Sequence, residues 1–98
     1  MSGHYILDGK KPVPCDLMTW AKSFEGSERH IAKSGNRKKK WVSTVFLGLD
    51  HQFGDGPPLL FETMIFGGEH DQWVERCSTW DEAEAIHKHA CKIAGIKP

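Results

Sequence analysis

Six histidines, three cysteines and thirteen Asp and Glu residues supply most of the side chains in this 98-residue chain that could do chemistry. They and the cations gather in three places. Asp50-His51 opens a stretch running to Pro58 that also holds Phe53, Gly54, Asp55 and Gly56. Carboxylates, an imidazole and glycine amides around one aromatic suit a pocket on a protein or a phosphorylated ligand. Glu62 stands among Leu60, Met64 and Phe66. A carboxylate in that setting must find a cation, find donors or hold a proton, which makes it a candidate base, ligand or recognition group. Arg37-Lys38-Lys39-Lys40 runs directly into Trp41; consecutive cations beside an aromatic can hold phosphates and stack on a base. Each place also has a plainer reading: a solvated loop with Phe53 folded onto the core, Glu62 paired with a Lys or Arg, and a charged hairpin tip that keeps a sheet edge from aggregating.

Other chemistry finds less footing. Glu69-His70-Asp71 could join Glu62 and Asp50-His51 in an oxygen- and nitrogen-rich metal set. His51 and His70, however, fall at opposite ends of strands expected to pair. His87 and Cys91 stand one helical turn apart, and no two cysteines have the close spacing of zinc modules. No metal and no cofactor is therefore expected. The chain has no glycine-rich phosphate loop followed by Lys and Ser or Thr, and no Gly-x-Ser-x-Gly elbow. Ser43 and Ser78 have no evident histidine partner, and a Cys–His nucleophile built on Cys77 or Cys91 has no local signature. No catalytic residue is assigned.

The elements that must position these residues form one domain, 1–98, which is long enough for a single core. Thirteen Lys and Arg balance thirteen Asp and Glu. That balance argues against a protein built to coat nucleic acid or anionic lipid, and leaves room for a local basic patch. The start of the chain has no basic region followed by an apolar run, and three cysteines cannot all pair, so reduced thiols in a cytoplasmic setting are expected. No run approaches the roughly 20 apolar residues of a membrane span. The fold class is α+β: a mainly antiparallel sheet of four or five strands with two helices. Strands are expected at His4–Leu7, His30–Lys33, Trp41–Leu49, Leu59–Phe66 and Trp73–Cys77. Pro12 and Pro14 keep their segment extended but out of a central strand. Asp16 caps a helix over Leu17–Glu25, with Leu17, Trp20, Ala21 and Phe24 at apolar spacing. Thr79 and Glu82 form a capping box for a second helix, whose stripe is Trp80, Ala83, Ile86, Ala90, Ile93 and Ala94, with Gly95 at its end. Pairing Leu49 with Leu59 sets Phe46 opposite Glu62, Thr44 opposite Met64 and Val42 opposite Phe66. Both faces of that hairpin are then apolar. Cover must come from helices on opposite sides or from a second copy, so a homodimer is expected.

The segment from Val42 to His51 (Val-Ser-Thr-Val-Phe-Leu-Gly-Leu-Asp-His), with Phe53-Gly54, Gly56-Pro-Pro-Leu-Leu-Phe-Glu-Thr-Met64 and Phe66-Gly67-Gly68, resembles a family of small uncharacterised proteins encoded by bacteriophages and prophages. Tyr5-Ile-Leu-Asp-Gly9, Ser78-Thr-Trp-Asp-Glu-Ala-Glu84 and His87 extend the resemblance over most of the chain. The basic run Arg37–Lys40 departs from it. The resemblance implies a setting, the cytoplasm of an infected bacterium, and transfers no catalytic residue. The expected function is that of a non-enzymatic accessory protein that binds a host target. That target would be a host or defence protein it inhibits or a small signalling molecule it sequesters, met by the Asp50–Pro58 loop with Phe53 as anchor. A small hydrolase-like enzyme using Glu62, Asp50 and His51 is the first alternative. A nucleic-acid binder working through Arg37–Lys40 is the second.

Overall fold

A computed structural model describes residues 3–25, 29–51 and 54–98. The architecture is α+β, with two antiparallel sheets and two helices. Strands β1 (His4–Asp8) and β2 (Lys11–Cys15) form a separate hairpin. Pro12 and Pro14 lack N–H donors, which suits a strand with a neighbour on one side only. Helix α1 (Leu17–Phe24) begins where the Asp16 carboxylate accepts from the Thr19 N–H at 2.7 Å. Of its expected apolar stripe only Trp20 and Phe24 turn inward. Leu17 is 57% exposed and Ala21 is also exposed, because α1 rests on the hairpin and the sheet's end rather than on a sheet face.

The second sheet is a four-stranded meander, β3 (His30–Asn36), β4 (Lys40–Phe46), β5 (Phe61–Phe66) and β6 (Val74–Cys77), in that spatial order. The β4–β5 register differs by one residue from the Leu49–Leu59 pairing. Val42 faces Ile65, Thr44 faces Thr63 and Phe46 faces Phe61, while Glu62 lies opposite Val45. Gly48 is one reason for the difference. Its φ is +72°, so β4 ends before it, and a Cβ there would come within 2.5 Å of the Phe24 ring and 2.6 Å of Trp20 Nε1. The strand breaks to seat α1, and Leu49 leaves the ladder to bridge His4.

This register gathers Val42, Thr44, Phe46, Phe61, Thr63 and Ile65 on one face, all buried. Helix α2 (Trp80–Ala94) covers it through Ala83, His87, Ala90, Cys91 and Ala94. Four of these are small, which lets the helix approach the sheet closely. Its start carries the expected capping box of Thr79 and Glu82. Its end carries Gly95 at φ +72°, with the Ile96 N–H returning to the Cys91 carbonyl at 2.8 Å. The core beneath α2 has two apolar clusters. One holds Val42, Ile65, Ala90, Cys91 and Ala94, with Trp73 packed against it; the other holds Phe46, Leu60, Phe61, Cys77 and Ala83. Between them lies a polar layer of Thr44, Thr63 and His87. Thr44 Oγ1 is 2.7 Å from both Thr63 Oγ1 and His87 Nδ1, and His87 Nε2 is 2.9 Å from Ser34 Oγ. These bonds satisfy polar atoms that burial would otherwise penalise. The hairpin and the Phe24 end of α1 join the second cluster on this same side. Of the two kinds of cover weighed from the sequence, helices on opposite sides of the sheet are not what the structure has: among the described residues neither helix covers the other face.

Candidate nucleic-acid interface

The uncovered face carries Trp41, Ser43 and Val45 from β4, opposite Phe66, Met64 and Glu62 from β5. On the flanks it has His30 and Lys33 from β3, and Val74 and Arg76 from β6. Trp41, Val45, Met64 and Phe66 are each half-buried, and Val74 is 45% exposed. Trp41 and Phe66 are directly opposed on the two central strands. Their rings stack with centroids 4.9 Å apart and planes 21° from parallel. The Arg37 guanidinium carbon sits 4.6 Å from the centre of the Trp41 ring, and the His30 ring lies 6.3 Å away. An aromatic pair with a cation on it presents flat π surface and positive charge at one spot, the combination on which unstacked bases settle.

Positioning comes from the β3–β4 turn. Asn36 Oδ1 accepts from the Lys38 N–H at 2.9 Å, and the Asn36 carbonyl accepts from the Lys39 N–H at 2.9 Å. Asn36 to Lys40 are all exposed. The basic run is nonetheless divided. Strand alternation sends Trp41 to the open face and Lys40 to the helix side, where its ammonium approaches Gly95 at the carboxyl end of α2. That end carries partial negative charge, which favours a cation. Arg37, Lys38 and Lys39 remain for the turn.

The other expected site residues fall elsewhere. Glu62 lies on the open face but is paired: Arg76 Nε donates to its Oε2 at 2.9 Å, across a register that sets the two residues opposite each other. Asp50 braces the base of its loop. Its Oδ1 accepts from the Leu59 N–H at 3.0 Å, and its own N–H donates to the Gly3 carbonyl at 3.0 Å. His51, Gly54, Asp55 and Gly56 are exposed. Phe53 lies outside the described residues, so the expected anchor of that loop has no structural description. His51 precedes β5 and His70 follows it. Among the described residues no group of three or more His, Cys, Asp and Glu is arranged to hold a metal.

Three groups in the core under α2 have perturbed chemistry. Burial first, and then the nearby Glu82 carboxylate, push the Cys77 thiol up to about 11. Burial also raises Cys91, so both stay thiols near neutral pH and are poor nucleophiles. Burial lowers the His87 pKa from its ordinary value, and both its ring nitrogens are engaged by hydroxyls. Two features escaped the sequence reading. Phe66 joins the site only through the true register. His87 occupies a helix position four residues after the buried Ala83 and three before Ala90, a spacing that marks the inner stripe. Comparisons with protein-family models, with curated proteins and with solved structures find no match. Among the described residues no helix is long and apolar enough to cross a membrane.

Proposed function

We propose that this protein acts by binding, and that the open face of its four-stranded sheet, with the adjoining basic turn, holds a single-stranded nucleic acid. The observation that carries this reading is the stacked Trp41–Phe66 pair on the two central strands with the Arg37 guanidinium over Trp41. Bases of any sequence stack on such a pair, while Arg37, Lys38 and Lys39 take up phosphates. The Glu62–Arg76 pair neutralises the one carboxylate among the face residues named above, so it does not repel a polyanion. Balanced net charge fits a small local footprint rather than a coat. The resemblance to bacteriophage and prophage proteins would set this binding in an infected bacterium, as an accessory to host takeover.

The test is fluorescence anisotropy with labelled twelve-residue oligo-dT and oligo-rU at several salt concentrations. Binding should weaken with salt along a logarithmic slope of about −2, since each of three phosphate contacts contributes roughly −0.7 on a single strand. Trp41→Ala should weaken binding about tenfold, the loss of one base stack. Absence of binding at low salt, or equal binding by Trp41→Ala, sinks the reading. A particle of twice the chain's mass by light scattering that ignores the oligonucleotide would instead assign the face to the expected homodimer.

A further inference from the structure

Protein interiors are close-packed, and voids larger than a water molecule are few. The surface of this chain, by contrast, has a half-open cleft of about 330 Å³ at the opposite end of the molecule from the basic turn, where the β1–β2 hairpin, α1, β3 and the start of α2 meet. Its volume lies at the lower bound of ordinary small-molecule sites, roughly 300–1,000 Å³. Leu7, Phe24, Ile31, Phe46 and Trp80 give it apolar wall, beside the polar side chains of Ser23 and His30. Ile31 reaches this side because a bulge between His30 and Ala32 shifts the β3 register. The charged group in the wall is Arg29, exposed, with its guanidinium carbon 4.8 Å from the centre of the Phe24 ring. No carboxylate stands among the described lining residues, so Arg29 sets a cation beside the apolar part of the wall.

We infer that this cleft binds a small amphiphilic anion, its apolar body among Leu7, Ile31, Phe46 and Trp80 and its carboxylate or similar head on Arg29. Charge complementarity selects the head. A guanidinium with its ring-side face on Phe24 keeps its N–H edge for an acceptor. The apolar walls select the body. Apart from His30, which stands at the edge of both, the site uses none of the residues named on the open sheet face, and it does not rest on what that face binds.

The experiment is calorimetric titration of the full chain with octanoate and with octanol, which share a body and differ in the head. Octanoate should bind at least tenfold more tightly than octanol, since a charged hydrogen bond contributes roughly that factor or more. Arg29→Gln should abolish the difference while leaving octanol affinity unchanged. Ile31→Phe, which fills the cleft, should weaken both ligands. Ser23→Leu, on the α1 wall, provides a second filling variant should Ile31→Phe fail to fold. Trp41→Ala should leave both affinities unchanged. Equal affinity of the wild type for the two ligands, no binding at millimolar concentration, or undiminished octanoate binding in a folded filling variant would each overturn the inference.

Discussion

The two faces of the β4–β5 hairpin are woven from the same two strands and differ only by alternation. Yet one is sealed under α2 and the other is open. Hydrophobicity does not separate them, since Trp41, Val45, Met64 and Phe66 are as apolar as Val42, Phe46, Phe61 and Ile65. Shape and accompaniment do. The sealed face meets alanines and a cysteine on α2, so the helix can come close, and its polar atoms are bonded to one another. The open face has broad rings, a cation above one of them and an ion pair across β5 and β6, all of which tolerate water. Apolar side chains on a strand therefore mark a face that needs contact, and what accompanies them decides whether the contact is within the chain or with something else.

The sharpest way to break this contrast is to remove α2. A chain ending before Thr79 loses Trp80, Ile86, Ile93 and the whole cover of the sealed face. A large side chain contributes about 1.5–3 kcal/mol when fully buried, so these three partly buried ones together with the lost cover are a large share of a total commonly near 5–15 kcal/mol. Circular dichroism should show no cooperative thermal transition; a retained one would mean the helix is dispensable. Next in size is Phe61→Ala, at a fully buried position, which should lower unfolding free energy by about 3–5 kcal/mol in urea titration. Its counterpart on the open face, Trp41→Ala, should cost less, about 1 kcal/mol for the half-buried aromatic pair, while most of its effect appears in oligonucleotide binding. A loss in Trp41→Ala as large as in Phe61→Ala would erase the distinction between the faces. The smallest effect is in pH. Burial holds the native His87 pKa below its ordinary 6.5, so the unfolded chain binds more protons in the window just below that value. Stability should be full above pH 6.5 and fall as the pH drops from there toward the native pKa. The melting temperature of His87→Gln should fall less over the same window.

Local signals in the sequence are enough to locate the elements. Asp16, the Thr79–Glu82 box and Gly95 mark helix ends through bonds spanning a few residues, and the structure repeats them. The β4–β5 register is less legible for a physical reason. When both faces of a hairpin are largely apolar, alternation penalises a one-residue slip only weakly, and contacts distant in sequence, the Gly48 break against Trp20 and Phe24 and the Thr44–Thr63 bond among them, favour the register. The side on which α1 lies is equally silent in a local pattern. The same division holds at the candidate site. Arg37 to Trp41 is a contiguous run and can be read directly. Phe66 enters only through the register. The partner of Glu62 is Arg76, fourteen residues on, and the partners of His87 lie 43 and 53 residues away.

The polar layer across the core has a consequence for how the molecule opens. Cys77 belongs to the cluster at the hairpin end and Cys91 to the cluster at the basic-turn end, with Thr44, Thr63 and His87 between them. Each half of the interior thus carries its own buried thiol, while the partly exposed Cys15 stands outside both. An alkylating reagent can reach either buried sulfur only during an opening, so the two labelling rates count the excursions of the two halves separately. If the hydroxyl–imidazole layer couples the halves into one cooperative unit, the clocks keep the same time. If it acts as a seam, the half beneath the hairpin and the half beneath Gly95 breathe independently, each at its own rate.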